Sequence, residues 1–254
     1  MEDMSDYAGT NDQHASAVKE SLQTPNKTSV SRINSSTDFN SVFHPLQLDD
    51  FLDNYADVET NGDYSFTGVW HSARGLLKYL CNRNDVKGNI LELGAGTGWL
   101  GINLACHLGR ECRKMTLTDR QSEWLSANVE AARRQGIPCV SVVSQEMDWR
   151  STASVHNVAA MGWDWIIGSD LIYSNEGVRD LARVLAILLS RGSGKVLYAH
   201  TAGRMPDLDG LWEDELQRNG LAWVVQAKLP VTNADGTVWE GRNTLVMEIY
   251  STSD

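Results

Sequence analysis

The chain has 254 residues, of which 42% are hydrophobic, and its 33 acidic and 22 basic residues give a formal net charge of −11. This length supports one substantial core but not two large domains, and the acidic balance argues against a nucleic-acid partner. No apolar run approaches the roughly 18 residues that a membrane helix needs, and the polar N-terminus lacks the pattern of a signal peptide.

The first part of the chain has the composition of a disordered segment. Residues 1–48 are rich in Ser, Thr, Asn and Asp and contain few large apolar side chains. Such a segment cannot bury enough apolar surface to fold, so we predict a disordered tail, with order beginning near Phe51. Residues 49–254 are then predicted to form a single domain. A targeting or partner-binding role is the alternative to a tail without a specific role.

Helices and strands alternate from residue 69 onward. The first helix is predicted over 69–82, where apolar side chains recur at helical spacing. The elements that follow, in chain order, are a strand at 89–93, a helix at 99–108, a strand at 114–118, a helix at 121–135, a strand at 140–143, a strand that contains 165–167 and ends near Asp170, a helix at 176–190, a strand at 195–199, a helix at 207–218 and strands at 221–229 and 243–250.

This alternation predicts an α/β, Rossmann-like fold. We expect a seven-stranded, mostly parallel sheet with helices on both faces. Only a loop at 230–242 joins the last two strands. A parallel crossover needs a dozen or more residues and usually contains a helix, so we predict that the last strand is antiparallel.

The cysteines and histidines show no pattern typical of a metal site or a disulfide framework. Cys81, Cys106, Cys112 and Cys139 contain no CxxC pair, and the six histidines form no HExxH or HxH pattern. We therefore predict free thiols and no bound metal.

A glycine-rich loop is the sharpest local signal. Residues 91–98, Leu-Glu-Leu-Gly-Ala-Gly-Thr-Gly, leave a predicted strand and enter a predicted helix. Glycines allow a tight turn and a close ligand approach, and the helix N-terminus attracts a carboxylate or a phosphate. Gly96-x-Gly98-x-x-Gly101 also matches the dinucleotide pattern, with Asp119 suitably spaced to bind a ribose. An NAD-binding oxidoreductase is therefore one interpretation.

The residues around the loop favour a different cofactor, S-adenosylmethionine. Glu92 lies two residues before Gly94, where a carboxylate suits the ammonium of a methionine moiety and would be poorly placed beside a pyrophosphate. A dehydrogenase also needs a sizeable substrate domain, whereas one sheet and its helices account for the whole ordered chain.

The region from Val69 to Tyr173 resembles the seven-β-strand methyltransferases of methyltransferase family 16, whose members mostly methylate lysines in other proteins. The resemblance extends over about 200 residues, from near Tyr64 to the C-terminus, and is densest in its first half. The motifs that carry it are Gly68-Val69-Trp70 before a helix, the glycine loop, Thr118-Asp119-Arg120 after the second strand, Asn128 in the next helix, Asp148-Trp149 after the third strand, and the D-x-x-Y signature from Asp170 to Tyr173 after the fourth.

The resemblance implies an S-adenosylmethionine-dependent protein-lysine N-methyltransferase. In addition to Glu92, the implied cofactor contacts are Trp70, Gly94, Ala95, Gly96, Asp119, Trp149 and Ser169. Asp170 and Tyr173 are the implied catalytic residues: Asp170 would hydrogen-bond the incoming amine, and Tyr173 would form an aromatic wall or accept a hydrogen bond. For Asp119, Asp170 and Tyr173, helix capping and packing are the alternative roles; for Trp70 and Trp149, the alternative is the core.

The expected partner is a protein that presents a lysine. An acidic surface would attract a lysine-rich segment and repel phosphates, so we expect neither nucleic acid nor membrane as a partner. We predict a monomer in the cytoplasm, with the nucleus as an alternative. Three further functions stay open, namely methylation of another protein nitrogen, methylation of a small molecule, and a non-catalytic interaction protein with this fold.

Overall fold

The computed structural model describes residues 69–120, 122–134, 142–192, 194–232 and 238–252. The predicted tail at 1–48 and the expected start of order near Phe51 lie outside these residues, so the division into tail and domain stays a prediction.

Six α-helices and seven strands form in the described part of the chain. The helices are α1 (His71–Cys81), α2 (Trp99–Leu108), α3 (Ser122–Arg134), α4 (Thr152–Ala159), α5 (Asn175–Ser190) and α6 (Pro206–Arg218). The strands are β1 (Gly88–Leu93), β2 (Cys112–Asp119), β3 (Val142–Glu146), β4 (Trp165–Ser169), β5 (Lys195–Thr201), β6 (Leu221–Thr232) and β7 (Val238–Ser251).

The strands form one mixed sheet in the order β3-β2-β1-β4-β5-β7-β6. The first five pair in parallel, and β7 pairs antiparallel with both β5 and β6. The predicted fold class is therefore confirmed, including the antiparallel last strand.

Each face of the sheet has its own apolar core, because successive strand residues point to opposite faces. On one face, Ile90 and Ile167 pack with α1, α2 and α3. On the other face, Leu91 and Ile166 pack with α4, α5 and α6. This alternation places helices on both sides of the sheet, as predicted.

Four elements differ most from the sequence-based expectation. Helix α4 was not predicted, because it is only eight residues long and its buried face contains just Val155, Val158 and Ala159. Strand β3 extends past the predicted end at residue 143, and the hairpin strands β6 and β7 are longer than expected. Strand β6 is the edge of the sheet and continues as half of a hairpin, so its length depends on pairing with β7 rather than on burial.

The strand order places a ligand crevice between β1 and β4. From β1 the chain continues outward through β2 and β3, and it then returns to β4 and β5 on the other side of β1. In open parallel sheets, ligands bind at such a reversal, outside the carboxyl ends of the strands.

Candidate functional site

A cavity of about 630 Å³ opens at the carboxyl ends of β1, β2 and β4. Its volume lies within the range of about 300–1,000 Å³ that is typical of small-molecule sites. All ten residues that the sequence predicted for the site line it, namely Trp70, Glu92, Gly94, Ala95, Gly96, Asp119, Trp149, Ser169, Asp170 and Tyr173.

The glycine loop forms the floor of this cavity in a backbone conformation that L side chains rarely adopt. Gly94 and Gly96 have φ angles of 56° and 54°. A Cβ on Gly94 would also lie 2.3 Å from Cδ2 of Leu171, so a larger residue would have to displace that side chain. The positive φ and this close approach together favour glycine at position 94.

Asp119 joins the end of β2 to the glycine loop. Its Oδ2 accepts a hydrogen bond from the backbone N–H of Gly96 at 2.9 Å. This contact fixes the carboxylate at the carboxyl end of the strand, beside the cavity, where an acceptor can meet a pair of hydroxyl groups. The alternative role as cap of the following helix involves Gln121, which lies outside the described residues.

Glu92 is a buried carboxyl group beneath the loop. Its Oε2 accepts a hydrogen bond from the backbone N–H of Gly101 at 2.9 Å, in the first turn of α2. Burial raises the pKa of Glu92 to about 8, with the Gly101 N–H opposing that shift and the nearby charge of Asp119 adding to it. A cationic ligand group would stabilise the ionised form of this carboxyl.

Asp170 follows β4 and ties this strand to the end of β5. Its φ of 50° is the only positive value among the described residues other than glycine. Oδ1 accepts from the backbone N–H of Thr201 at 2.8 Å, and Oδ2 accepts from the Thr201 hydroxyl at 2.9 Å. The side chain is only 1% exposed. Thr201 thus fixes the carboxylate that was predicted to meet an incoming amine, in a residue that lines the cavity.

Aromatic side chains form the rim of the cavity. Tyr173 is 54% exposed and Trp70 is 41% exposed. The guanidinium of Arg204 lies 4.8 Å from the centre of the Trp70 ring, within cation–π range. Met205, also exposed, lines the same opening. The rim can therefore contact a long aliphatic chain on several sides.

Arg204 connects the rim to the segment after β4. One of its terminal nitrogens donates to the carbonyl oxygens of Asp170 and Ile172, at 3.1 and 3.0 Å. Sequence reasoning did not predict this residue, because a single arginine in a loop matches no pattern.

Trp149 also lines the cavity, and a residue of α5 holds its backbone in place. Its carbonyl accepts a hydrogen bond from Arg183, which also pairs with Asp180 at 2.9 Å. The side chain is partly buried and packs against the second core, so it both lines the cavity and contributes to packing.

In the described part of the chain, no group of three or more His, Cys, Asp or Glu side chains has an arrangement that could hold a metal ion. Cys81, Cys106 and Cys112 are not in disulfide bonds, and Cys106 and Cys112 are buried, whereas Cys139 lies outside the described residues. Among the helices that the structure describes, none has the length and apolar character required to cross a membrane.

Comparison with known proteins adds family information to this geometry. A family model described as lysine methyltransferase matches residues 57–209. Protein N-lysine methyltransferase METTL21A of Danio rerio is 36% identical over 126 residues, which cover 48% of this chain and 55% of that protein. Protein-lysine N-methyltransferase EEF2KMT of Homo sapiens is 27% identical over 183 residues, covering 65% of this chain and 54% of that protein. The chain thus spans about half of the length of these relatives.

A solved structure shares the fold. SMU.776, described as a methyltransferase complexed with SAH, superposes with a TM-score of 0.53 at 13% identity, and the match covers 72% of this chain and 50% of that chain. At this level of identity the likeness concerns the arrangement of sheet and helices alone.

Proposed function

We propose, because this chain belongs to the lysine methyltransferase family, that it transfers a methyl group from S-adenosylmethionine to the side chain of a lysine in another protein. One observation carries the proposal: a single cavity at the strand reversal is lined by the glycine loop, by Asp119 and by the segment from Asp170 to Tyr173. The named activities of the relatives METTL21A and EEF2KMT agree with it.

The chemistry of the cavity fits this cofactor. The Asp119 carboxylate can accept hydrogen bonds from both ribose hydroxyls, and charge-assisted bonds of this kind contribute roughly 1.5–3 kcal/mol. Trp149 can stack on adenine, and Glu92 can pair with the methionine ammonium. In this proposal Gly94, Ala95 and Gly96 contact the cofactor through the backbone, and Trp70 and Ser169 complete its site.

The bound cofactor supplies an electrophilic methyl group on a sulfonium, and the protein has to present a neutral amine in line with it. A lysine with a pKa near 10.4 is only about 0.1% neutral at pH 7.4. The rim side chains Trp70, Tyr173 and Met205 suit the aliphatic stem of that lysine and exclude water from the amine. Asp170, at the cavity wall, suits an orienting contact with the amine.

The substrate is expected to carry basic residues near its target lysine. The chain has a formal net charge of −11, and complementary charge accelerates the encounter of two proteins.

Labelling of a cell extract tests the proposed activity. The protein is incubated with S-adenosylmethionine carrying a labelled methyl group and with extract, and mass spectrometry identifies the modified protein and residue. We expect the label on lysine, and weaker labelling with Asp119→Ala when the cofactor is below saturation. Label on another amino acid or on a small molecule would instead support one of the alternative methyltransferases, and no label at all would contradict the proposal.

Calorimetric titration tests the cofactor separately. We expect S-adenosylmethionine and S-adenosylhomocysteine to bind, and NAD not to bind. Tight binding of NAD, with no binding of S-adenosylhomocysteine, would contradict the methyltransferase and support an NAD-binding oxidoreductase.

A further inference from the structure

A buried histidine lies behind Asp170, between two carboxylates. His200, near the end of β5, is only 4% exposed. Its Nε2 lies 2.8 Å from Oδ1 of Asp209 on α6, and its Nδ1 lies 4.0 Å from Oδ1 of Asp170. Nδ1 is buried without a hydrogen-bond partner among the described residues. A buried polar atom of this kind requires a functional or structural explanation.

The hydrogen bonds indicate which nitrogen of His200 carries the proton. An ionised carboxylate can only accept, so Nε2 donates to Asp209 and Nδ1 has a lone pair. Oδ1 of Asp170, itself an acceptor, lies 4.0 Å from this nitrogen. A proton added at Nδ1 would therefore be shared with Asp170, and the imidazolium would donate to a carboxylate on each side.

Asp170, His200 and Asp209 follow one another from a residue of the cavity lining to a residue at the protein surface. Asp170 lines the cavity, whereas the side chain of Asp209 is 31% exposed. The second oxygen of Asp209 accepts from the backbone N–H of Gly203 at 3.0 Å, which holds this carboxylate against the histidine. His200 lies between Asp170 and Asp209, so the three side chains extend from the cavity lining to the protein surface.

The other charged or titratable groups around His200 do not compete for a proton. Tyr198 stacks on the imidazole, with ring centres 6.3 Å apart, and its hydroxyl accepts from the backbone N–H of Leu171. Burial and the charge of Asp170 raise the pKa of Tyr198 well above its usual value, so it stays protonated. Arg204 and Arg242, which donate to backbone carbonyls nearby, are permanently charged.

We propose that Asp170, His200 and Asp209 form a proton exit route for the substrate amine, an inference that rests on the proposed methylation of lysine. The ammonium N–H bond breaks and an O–H bond forms on Asp170. That proton passes to Nδ1 of His200, while Nε2 releases its own proton to Asp209 and from there to water. The three side chains then have their original charges, but the imidazole carries its proton on Nδ1 instead of Nε2. A ring flip, or the reverse exchange with water, restores the first tautomer.

Two features of the site make this transfer feasible. Each oxygen of Asp170 still has a lone pair after accepting from Thr201. The distance of 4.0 Å between Asp170 and Nδ1 exceeds a hydrogen bond by about 1 Å, so a small approach of the two side chains closes it. His200 and Asp209 act through Asp170 and are positioning residues in this scheme.

The pH dependence of the methylation rate in a variant of the proton exit route tests the proposal. Single-turnover methylation of the protein labelled in extract is measured from pH 7 to pH 10 for wild type and for His200→Gln, which retains a donor for Asp209. We expect His200→Gln to be slower by about tenfold or more at pH 7 and to approach the wild-type rate near pH 10, where about a third of the lysine is already neutral. A merely structural defect would lower the rate equally at every pH, and that result would overturn the proposal.

Matched controls separate the relay from a general effect of substitution. Asp209→Asn should reproduce the profile of His200→Gln. Asp207→Asn, at an exposed position in the same helical turn, and His156→Gln, at an exposed position on α4, should match wild type. Unchanged affinity for S-adenosylhomocysteine in His200→Gln would show an intact cavity.

A spectroscopic measurement distinguishes failure of the relay from failure of the proposed function. If no protein in the extract is labelled, methyl transfer is in doubt, but the imidazole can still be observed by nitrogen NMR in the free protein. We expect the neutral imidazole to carry its proton on Nε2, the nitrogen that faces Asp209. A proton on Nδ1 would contradict the proton exit route, whether or not the protein transfers a methyl group.

Discussion

At the scale of single residues, the ionisation state of Glu92 is set by its surroundings. The carboxyl group is buried beneath the loop, and the raised pKa of about 8 keeps it largely protonated at neutral pH in the free protein. An ammonium group placed against it would favour the carboxylate, so binding should release a proton below pH 8.

This coupling predicts pH-dependent cofactor binding. If only ionised Glu92 holds the ammonium, affinity for S-adenosylhomocysteine should rise about tenfold per pH unit up to pH 8 and then level off. Glu92→Gln retains an acceptor for the Gly101 N–H but cannot ionise, so its affinity should be weaker at pH 8 and independent of pH. Calorimetric titrations between pH 6 and pH 9 measure both; an equal slope in the two proteins would assign the pH dependence to another group.

The two aspartates of the site should affect different steps. Asp119→Ala should weaken S-adenosylhomocysteine by about tenfold or more, since 1.4 kcal/mol corresponds to a factor of ten. Asp170→Asn should instead lower turnover severely and leave cofactor affinity nearly unchanged, because its interaction is felt mainly in the transition state.

Asparagine is the informative substitution at position 170. It tolerates a φ of 50° and retains an acceptor for Thr201, whereas alanine would leave the Thr201 donors unpaired at a cost of about 1–3 kcal/mol each. Tyr173→Phe should cost less than Asp170→Asn if its ring serves as a wall. Titration and single-turnover assays measure these effects. Wild-type turnover in Asp170→Asn would show that the carboxylate has only a structural role.

At the scale of elements, the position of α2 against β2 depends on one glycine. A Cβ on Gly101 would lie 2.2 Å from Cδ2 of Leu117 on β2 and 2.4 Å from Oε2 of Glu92. The absence of a side chain therefore allows the helix to approach the strand and to donate its N–H to the buried carboxyl. Packing and the cofactor site are coupled at this point.

Two Gly→Ala substitutions should change stability in opposite directions. Gly101→Ala should lower the free energy of unfolding by about 1–3 kcal/mol, because the new methyl group must displace Leu117 or Glu92. Gly210→Ala, on the exposed face of α6 with no atom within 4 Å of the new Cβ, should raise it by about 0.5–1 kcal/mol. Thermal and urea unfolding compare the two; equal effects would mean that α2 can shift without cost.

At the scale of the whole molecule, the predicted tail can be separated from the domain experimentally. Deletion of residues 1–48 should leave the melting temperature and the affinity for S-adenosylhomocysteine nearly unchanged, since that segment has few apolar side chains to contribute to a core. Differential scanning calorimetry and titration measure this. A melting temperature lower by many degrees would show that the tail packs on the domain, whereas loss of methylation alone would show that it recruits the substrate.

Sequence reasoning predicted the fold class, the mostly parallel sheet with its antiparallel last strand, and ten of the residues that line the cavity. These features depend on local signals: apolar periodicity within each element, glycines at a strand-to-helix turn, and aspartates at strand ends. Because parallel strands end at the same edge of a sheet, residues such as Asp119 and Asp170 converge on one site once the order of elements is known. Helix α4 was not predicted, because its sequence signal is short. It consists of the capping residue Ser151 and three apolar residues.

How those residues are held and ionised depends on contacts between elements that are distant in the chain. The pKa of Glu92 depends on burial by α2, and the orientation of Asp170 depends on Thr201, 31 positions further along the chain. His200 and Arg204 have no local pattern, because their partners come from other elements. Desolvation and hydrogen bonding act through space, so periodicity and spacing could predict which side chains meet but not the charge and geometry they adopt there.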